Sequence, residues 1–88
     1  MKTFLITYDL KEGQDYEPLY KAIKGLTDNS WHGMQNVWFI KGNDTLECSD
    51  IVTELMKHVY SNDKLFVCKL TDWWSAGLRQ DGVDWLKN

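Results

Sequence analysis

Two side chains in this 88-residue chain have the type and setting to do chemistry, Asp9 and His32. Asp9 closes the opening stretch 2–10, KTFLITYDL. A carboxylate at the end of a strand can hold a hard divalent cation with water, or it can cap a turn or the next helix. A single carboxylate favours the capping role. His32 stands between Trp31 and Gly33, and an imidazole that titrates near neutrality can serve as a general acid or base. The structural alternative, a half-buried histidine packed beside an indole, is the favoured one. His58 falls on the polar side of an expected helix and has little functional weight.

Tyr8, Trp31, Trp38, Trp73 and Trp74 are rings on which single-stranded bases could stack. Such platforms interleave aromatic residues with lysine and arginine. Here Asp72 and Ser75 flank Trp73 and Trp74, with Lys69 and Arg79 further off. The rings therefore read first as core and interface. Asp81 and Asp84 beside Trp85 form either a solvated end or an acidic-aromatic docking surface for a basic partner. There is no phosphate-binding glycine loop, no dinucleotide fingerprint, no zinc-type spacing and no nucleophile motif.

The elements that must position these residues are legible in the pattern. Within 2–10, alternation puts Phe4, Ile6 and Tyr8 on one face and Leu5, Thr7 and Asp9 on the other, which predicts a central strand with apolar residues on both sides. Asp15 is placed to cap a helix over 16–26, where Tyr16, Leu19, Ile23 and Leu26 recur on one stripe, with Glu17 and Pro18 in the first turn. Residues 31–41 read as strand material broken near 34–36, where Gly33, Gln35 and Asn36 suit a turn or bulge. A second helix is expected over 50–60, with Ser49 or Asp50 at its start and Ile51, Val52, Leu55, Met56 and Val59 on its apolar side. LFVCKL, 65–70, is a last strand, again apolar on both faces. The tail 71–88 holds Trp73, Trp74 and Trp85 without a clear period, and 82–87 could form one helical turn.

This order predicts one α+β domain spanning 1–88: a ferredoxin-like βαββαβ core over 2–70, with a four-stranded antiparallel sheet and two helices on one face, followed by an aromatic C-terminal tail over 71–88. Right-handed crossovers would set the first and last strands side by side in the centre. A chain this short buries only about 60–65% of its unfolded surface, so dimerisation through leftover apolar surface is expected. The formal charge is −3, with nine lysines and a single arginine, Arg79, which gives no support to nucleic acid as a partner. It leaves room for a mimic that occupies another protein's basic groove. Cys48 and Cys68 lack CxxC spacing and read as free thiols. The opening lacks the apolar core and cleavage site of a signal peptide, and no apolar run approaches about 20 residues. The expectation is a soluble, cytoplasmic protein without a membrane span.

The strand ending in Tyr8-Asp9, the helix, and Trp31-His32 leading to Asn36-Val37-Trp38-Phe39-Ile40 resemble a family of small ferredoxin-like proteins. That family includes the CRISPR spacer-acquisition adaptor, the virulence-associated protein D ribonucleases and SinR-like proteins. The chain is most similar to the SinR-like group, typified by a strand of the form Trp-His-x-x-x-Ser-x-Trp. The resemblance spans 2–70. It implies a homodimer, often with C-terminal segments crossing to the partner. In nuclease members the aspartate matching Asp9 meets its symmetry mate and helps hold a divalent metal, Mg²⁺ or Mn²⁺, which could activate water for phosphodiester cleavage. Those members also carry an arginine, a glutamine and a serine where this chain has His32, Met34 and Asn36, which points away from catalysis. The resulting expectation is a homodimeric binding or adaptor protein in nucleic-acid metabolism or phage–host defence, without a cofactor. Its interface would use Trp73, Trp74 and Trp85, and a protein partner is expected beyond the dimer. The alternatives are a metal-dependent ribonuclease of the virulence-associated D type and an acidic, phage-encoded inhibitor of a defence or nucleic-acid-handling complex.

Overall fold

The structure is a computed structural model that describes residues 1–88. Its elements run β1 (Lys2–Asp9), α1 (Glu17–Leu26), β2 (Ser30–Met34), β3 (Val37–Gly42), α2 (Cys48–Leu55), β4 (Lys64–Lys69) and α3 (Gln80–Lys87), with a 3-10 turn at Met56–His58 after α2. The four strands form one antiparallel sheet in the order β2-β3-β1-β4. This is an α+β architecture with a four-stranded antiparallel sheet and three helices, compatible with a ferredoxin-like fold.

The alternation in β1 decides where the core sits. Phe4, Ile6 and Tyr8 are buried with Trp38 and Ile40 of β3, and against them pack Leu19 and Ile23 of α1 and Ile51 and Leu55 of α2. Leu5 and Thr7 face the other way and are half-buried. We call the first side the helix face and the second the open face.

Local signals set the element ends. The Asp15 carboxylate accepts the Glu17 N–H at 3.0 Å, and Pro18 lies in the first turn of α1, where its missing N–H costs nothing. In α2 the capping residue is Glu47, whose N–H donates to Asp50 Oδ2 at 3.0 Å. The acid expected near the start of the helix thus reaches back from inside it. α2 ends at Leu55, earlier than its apolar pattern predicts. The chain tightens into the 3-10 turn and extends at Val59, which packs against the core beside the start of β4. Between β2 and β3 the register shifts from Trp31 to Met34. Gly33 occupies that irregularity because an added Cβ would stand 2.7 Å from the Phe39 ring.

Two sequence expectations are corrected. The first and last strands are neighbours, but they do not share the centre: β4 is an edge strand, and the central pair is β3 and β1. The β2–β3 hairpin joins β1 through β3, which leaves β4 only one neighbour. The tail is also more regular than a single turn, since α3 is an eight-residue helix. Its periodicity is masked because a glycine, Gly82, holds a buried position beside Leu86.

Candidate interaction surface

Register places two rows of side chains across the open face. One runs Trp31, Phe39, Leu5, Cys68; the other runs Met34, Val37, Thr7, Phe66. The tail covers part of the first row. The rings of Trp31 and Phe39 stack at 5.4 Å and 18°, and the Trp85 ring lies 6.3 Å from Trp31. Gly82 of α3 sits flush against the Trp31 indole, where any Cβ would collide with the ring. Lys41, only 5% exposed, donates its ammonium to the Trp85 carbonyl and lies 4.5 Å from the Trp85 ring centroid. A cation beneath the last turn of a helix satisfies a free carbonyl and suits the helix dipole, which accounts for a lysine buried without a carboxylate. The Trp85 Nε1–H donates to Asn29 Oδ1 at 2.6 Å, completing the anchor.

The rest of the open face is left bare. Residues 71–79 run beside it and leave a cavity of about 300 Å³ lined by Leu5, Met34, Phe39, Leu70, Trp73 and Trp74. Of its lining, Trp74 is 93% exposed and Met34 46%, and Phe66, at the far end of the second row, is 62% exposed. Isolated exposed apolar residues are ordinary; here three large ones stand on one face of the sheet, two of them at an apolar cavity.

The sequence candidates divide between the two faces. Asp9 ends β1 exposed on the open face, opposite Lys64 in register. It caps nothing. The Lys11 N–H that follows it is taken by Asp63 Oδ1 at 2.8 Å, and Asp63 Oδ2 accepts from Gln14 Nε2 at 2.6 Å and from the Tyr60 N–H at 2.8 Å. Partial burial pushes the Asp63 carboxyl up, but the bonds from Gln14, Lys11 and Tyr60 outweigh it and hold its pKa below the usual carboxylate range. Asp63 therefore does the loop-binding work expected of Asp9.

His32 lies on the helix face, stacked on Trp38 at 4.4 Å and 8°, with the Tyr20 ring edge-on at 5.0 Å. It is exposed and not half-buried as expected, and its indole neighbour is across the strand pair, not next to it in the chain. His32 Nε2, in the tautomer that carries its proton there, donates to the Gln35 carbonyl at 3.1 Å, and the Tyr8 hydroxyl donates to the same oxygen at 3.3 Å. Burial first, and then the Tyr20 hydroxyl, hold the Tyr8 phenol well above its ordinary pKa. Tyr8 and Trp38 are core residues, and the Trp38 Nε1 has no hydrogen-bond partner. The structure therefore groups Tyr8, His32 and Trp38 on one face and Trp31, Trp73, Trp74 and Trp85 on the other. Asp9 and His32 do not converge.

No group of three or more His, Cys, Asp or Glu side chains comes together in a metal-binding arrangement. No helix is long and apolar enough to cross a membrane. Of the contributors to this surface, Phe66 and Lys41 gave no sequence signal of their own, and Met34 was named only through the resemblance. Comparison of the chain with models of known protein families and with curated proteins gives no match. The chain is a small α+β protein whose sheet keeps one apolar face partly uncovered.

Proposed function

We propose that the chain is a binding or adaptor protein of ferredoxin-like βαββαβ fold, related to the adaptor-like and SinR-like group, that acts as a homodimer through its open face. Its setting would be nucleic-acid metabolism or phage–host defence. The observation that carries this reading is the bare half of the open face, where Trp74 and Met34 line the apolar cavity and Phe66 stands exposed at the far end of the second row. Those three side chains offer on the order of 400 Å² of contact surface. That is about half of the roughly 800 Å² that each partner contributes to a stable interface.

The test is sedimentation of the wild type beside a Trp73→Ala, Trp74→Ala double variant, with circular dichroism to check the sheet. The reading expects a wild-type dimer at micromolar concentration and a folded, monomeric variant. A wild type that stays monomeric, or a variant that stays dimeric, defeats it.

The metal-dependent ribonuclease is the second reading, favoured by one observation: the Asp9 carboxylate is exposed and makes no hydrogen bond or ion pair. One chain brings no further ligands to it, so the residues of a single copy do not make a metal site. Mg²⁺- or Mn²⁺-dependent cleavage of RNA that disappears in Asp9→Ala would establish this alternative.

A further inference from the structure

The outer edge of β4 presents an unfilled place for one more strand. The Leu70 N–H donates to the Thr3 carbonyl at 2.8 Å, and the register aligns Phe4 with Lys69. In an antiparallel ladder, residues bonded to the neighbouring strand alternate with residues whose N–H and C=O point away from it. The backbone of Lys64, Phe66, Cys68 and Leu70 therefore turns toward β1, and that of Leu65, Val67 and Lys69 turns outward. No strand lies beyond β4, and no other backbone bond reaches these outward groups.

The two edges of the sheet differ. β2 is shorter and irregular, which blunts it against pairing, whereas β4 runs six residues in unbroken register with β1. Beside β4 on the helix face, α2 and the 3-10 turn leave a cavity of about 350 Å³ lined in part by Val52, Met56, Val59, Tyr60 and Leu65. Met56 is 61% exposed and Tyr60 66%, and Phe66 stands exposed on the opposite face. An added strand would thus find apolar contacts for side chains on both of its faces, the geometry by which sheet edges take up peptides.

Charge selects the occupant. Lys64 and Lys69 bracket the strand, both exposed, and the ion pairs of the chain use neither. β4 itself carries two lysines and no acid. Of the carboxylates beside it, Asp9 stands opposite Lys64, and Asp63 is taken up by Gln14 and the N–H groups of Lys11 and Tyr60. Pairing with a second copy of β4 would gather four ammonium groups along one seam, as edge lysines do elsewhere to discourage self-pairing. We propose that the β4 edge is a docking site for an extended segment of a partner protein. That segment is about five residues long, apolar at alternate positions and acidic at both ends. The proposal does not depend on self-association through the open face.

The probe is a labelled synthetic peptide of about nine residues, valine alternating with threonine between paired aspartates, beside a control with lysines at the ends. Both are titrated into the full chain, with amide exchange followed residue by residue. The acidic peptide should bind at least about tenfold more tightly than the control. It should slow exchange at Leu65, Val67 and Lys69, leaving Phe66 and Cys68, already bonded to β1, unchanged. Val67→Pro removes an N–H that points outward, so it should keep the fold and lose at least about tenfold in binding. Should that variant misfold, Lys64→Glu with Lys69→Glu decides instead, since it should reverse the preference between the two peptides. The proposal is overturned by absent binding, by equal binding of both peptides, or by protection confined to other residues. It is overturned equally if the edge amides of the free protein become protected as its own concentration rises, because a second copy then fills the site.

Discussion

Gly82 shows how a single missing atom can set a docking geometry. At an exposed helix position, replacing glycine with alanine would gain about 0.8–1 kcal/mol of helix propensity. Here the new methyl group would meet the Trp31 indole, and overpacking costs typically about 1–3 kcal/mol. Gly82→Ala should therefore lower stability in urea unfolding, against the sign that propensity predicts. Trp31→Ala in the same chain should remove most of the added penalty, a coupling that a double-mutant cycle reads directly. Asp63 yields a second expectation at this scale. Its folded pKa lies below its unfolded value, so its contribution is complete above about pH 4 and fades as pH falls through the folded value. Thermal melts of the wild type should lose stability progressively below that point. Asp63→Asn should be less stable near neutrality and lack this part of the acid dependence.

At the scale of elements, α3 is held by few contacts of different kinds. Leu86 is buried, Trp85 lies against Trp31 and bonds to Asn29, and Lys41 caps the last turn. An isolated helix of eight residues is not stable in water, so α3 exists because of this docking. Trp85→Phe keeps most of the ring contact and loses the bond to Asn29, a change of about 1 kcal/mol. Trp85→Ala loses the packing as well and should cost about 3 kcal/mol. It should also reduce the helical signal in circular dichroism, while amide protection in β1 and β3 persists. If Trp85→Ala leaves helicity and stability unchanged, the described anchoring is wrong.

For the molecule as a whole, the two faces of the sheet are unequally finished. The helix face is closed by α1 and α2, whereas α3 and the tail cover the open face only toward β2. This inequality assigns different work to two tryptophans of the same tail. Trp74 is almost wholly exposed, so Trp74→Ala should shift monomer stability by less than about 0.5 kcal/mol. In a dimer formed through this face, burying that ring would contribute about 1.5–3 kcal/mol, and its loss should weaken association about tenfold or more. Trp85→Ala should act in the opposite order, lowering stability before association. Chemical denaturation beside sedimentation separates the two, and a Trp74→Ala variant as destabilised as Trp85→Ala would place both rings in the monomer core.

The residue alternation of β1 and the stripe of Leu19 and Ile23 in α1 were legible because each element carries its own period, and local sterics suffice to sort such side chains onto faces. The turn after Met34 was legible for the same reason, since its residue types answer a local backbone need. Sheet order is different. LFVCKL is apolar on both sides and reads as a central strand, yet it lies at the edge, because its burial depends on which strands pair beside it and not on its own composition. Asp9 was read as the residue that binds the following turn, but that bond comes from Asp63, and the acceptor lies 52 positions away from its donor Lys11. The open face was the least legible part. A glycine at 82 looks like a break in a helix until the Trp31 indole is found beside it, and a lysine at 41 looks solvated until the end of α3 is found above it. By itself the sequence determined the four strands and the two helices of the core, the composition of that core and the surplus of aromatic residues. Only the tertiary structure decided which edge stays unpaired and which tryptophans stay bare, because both are set by contacts between segments distant in the chain.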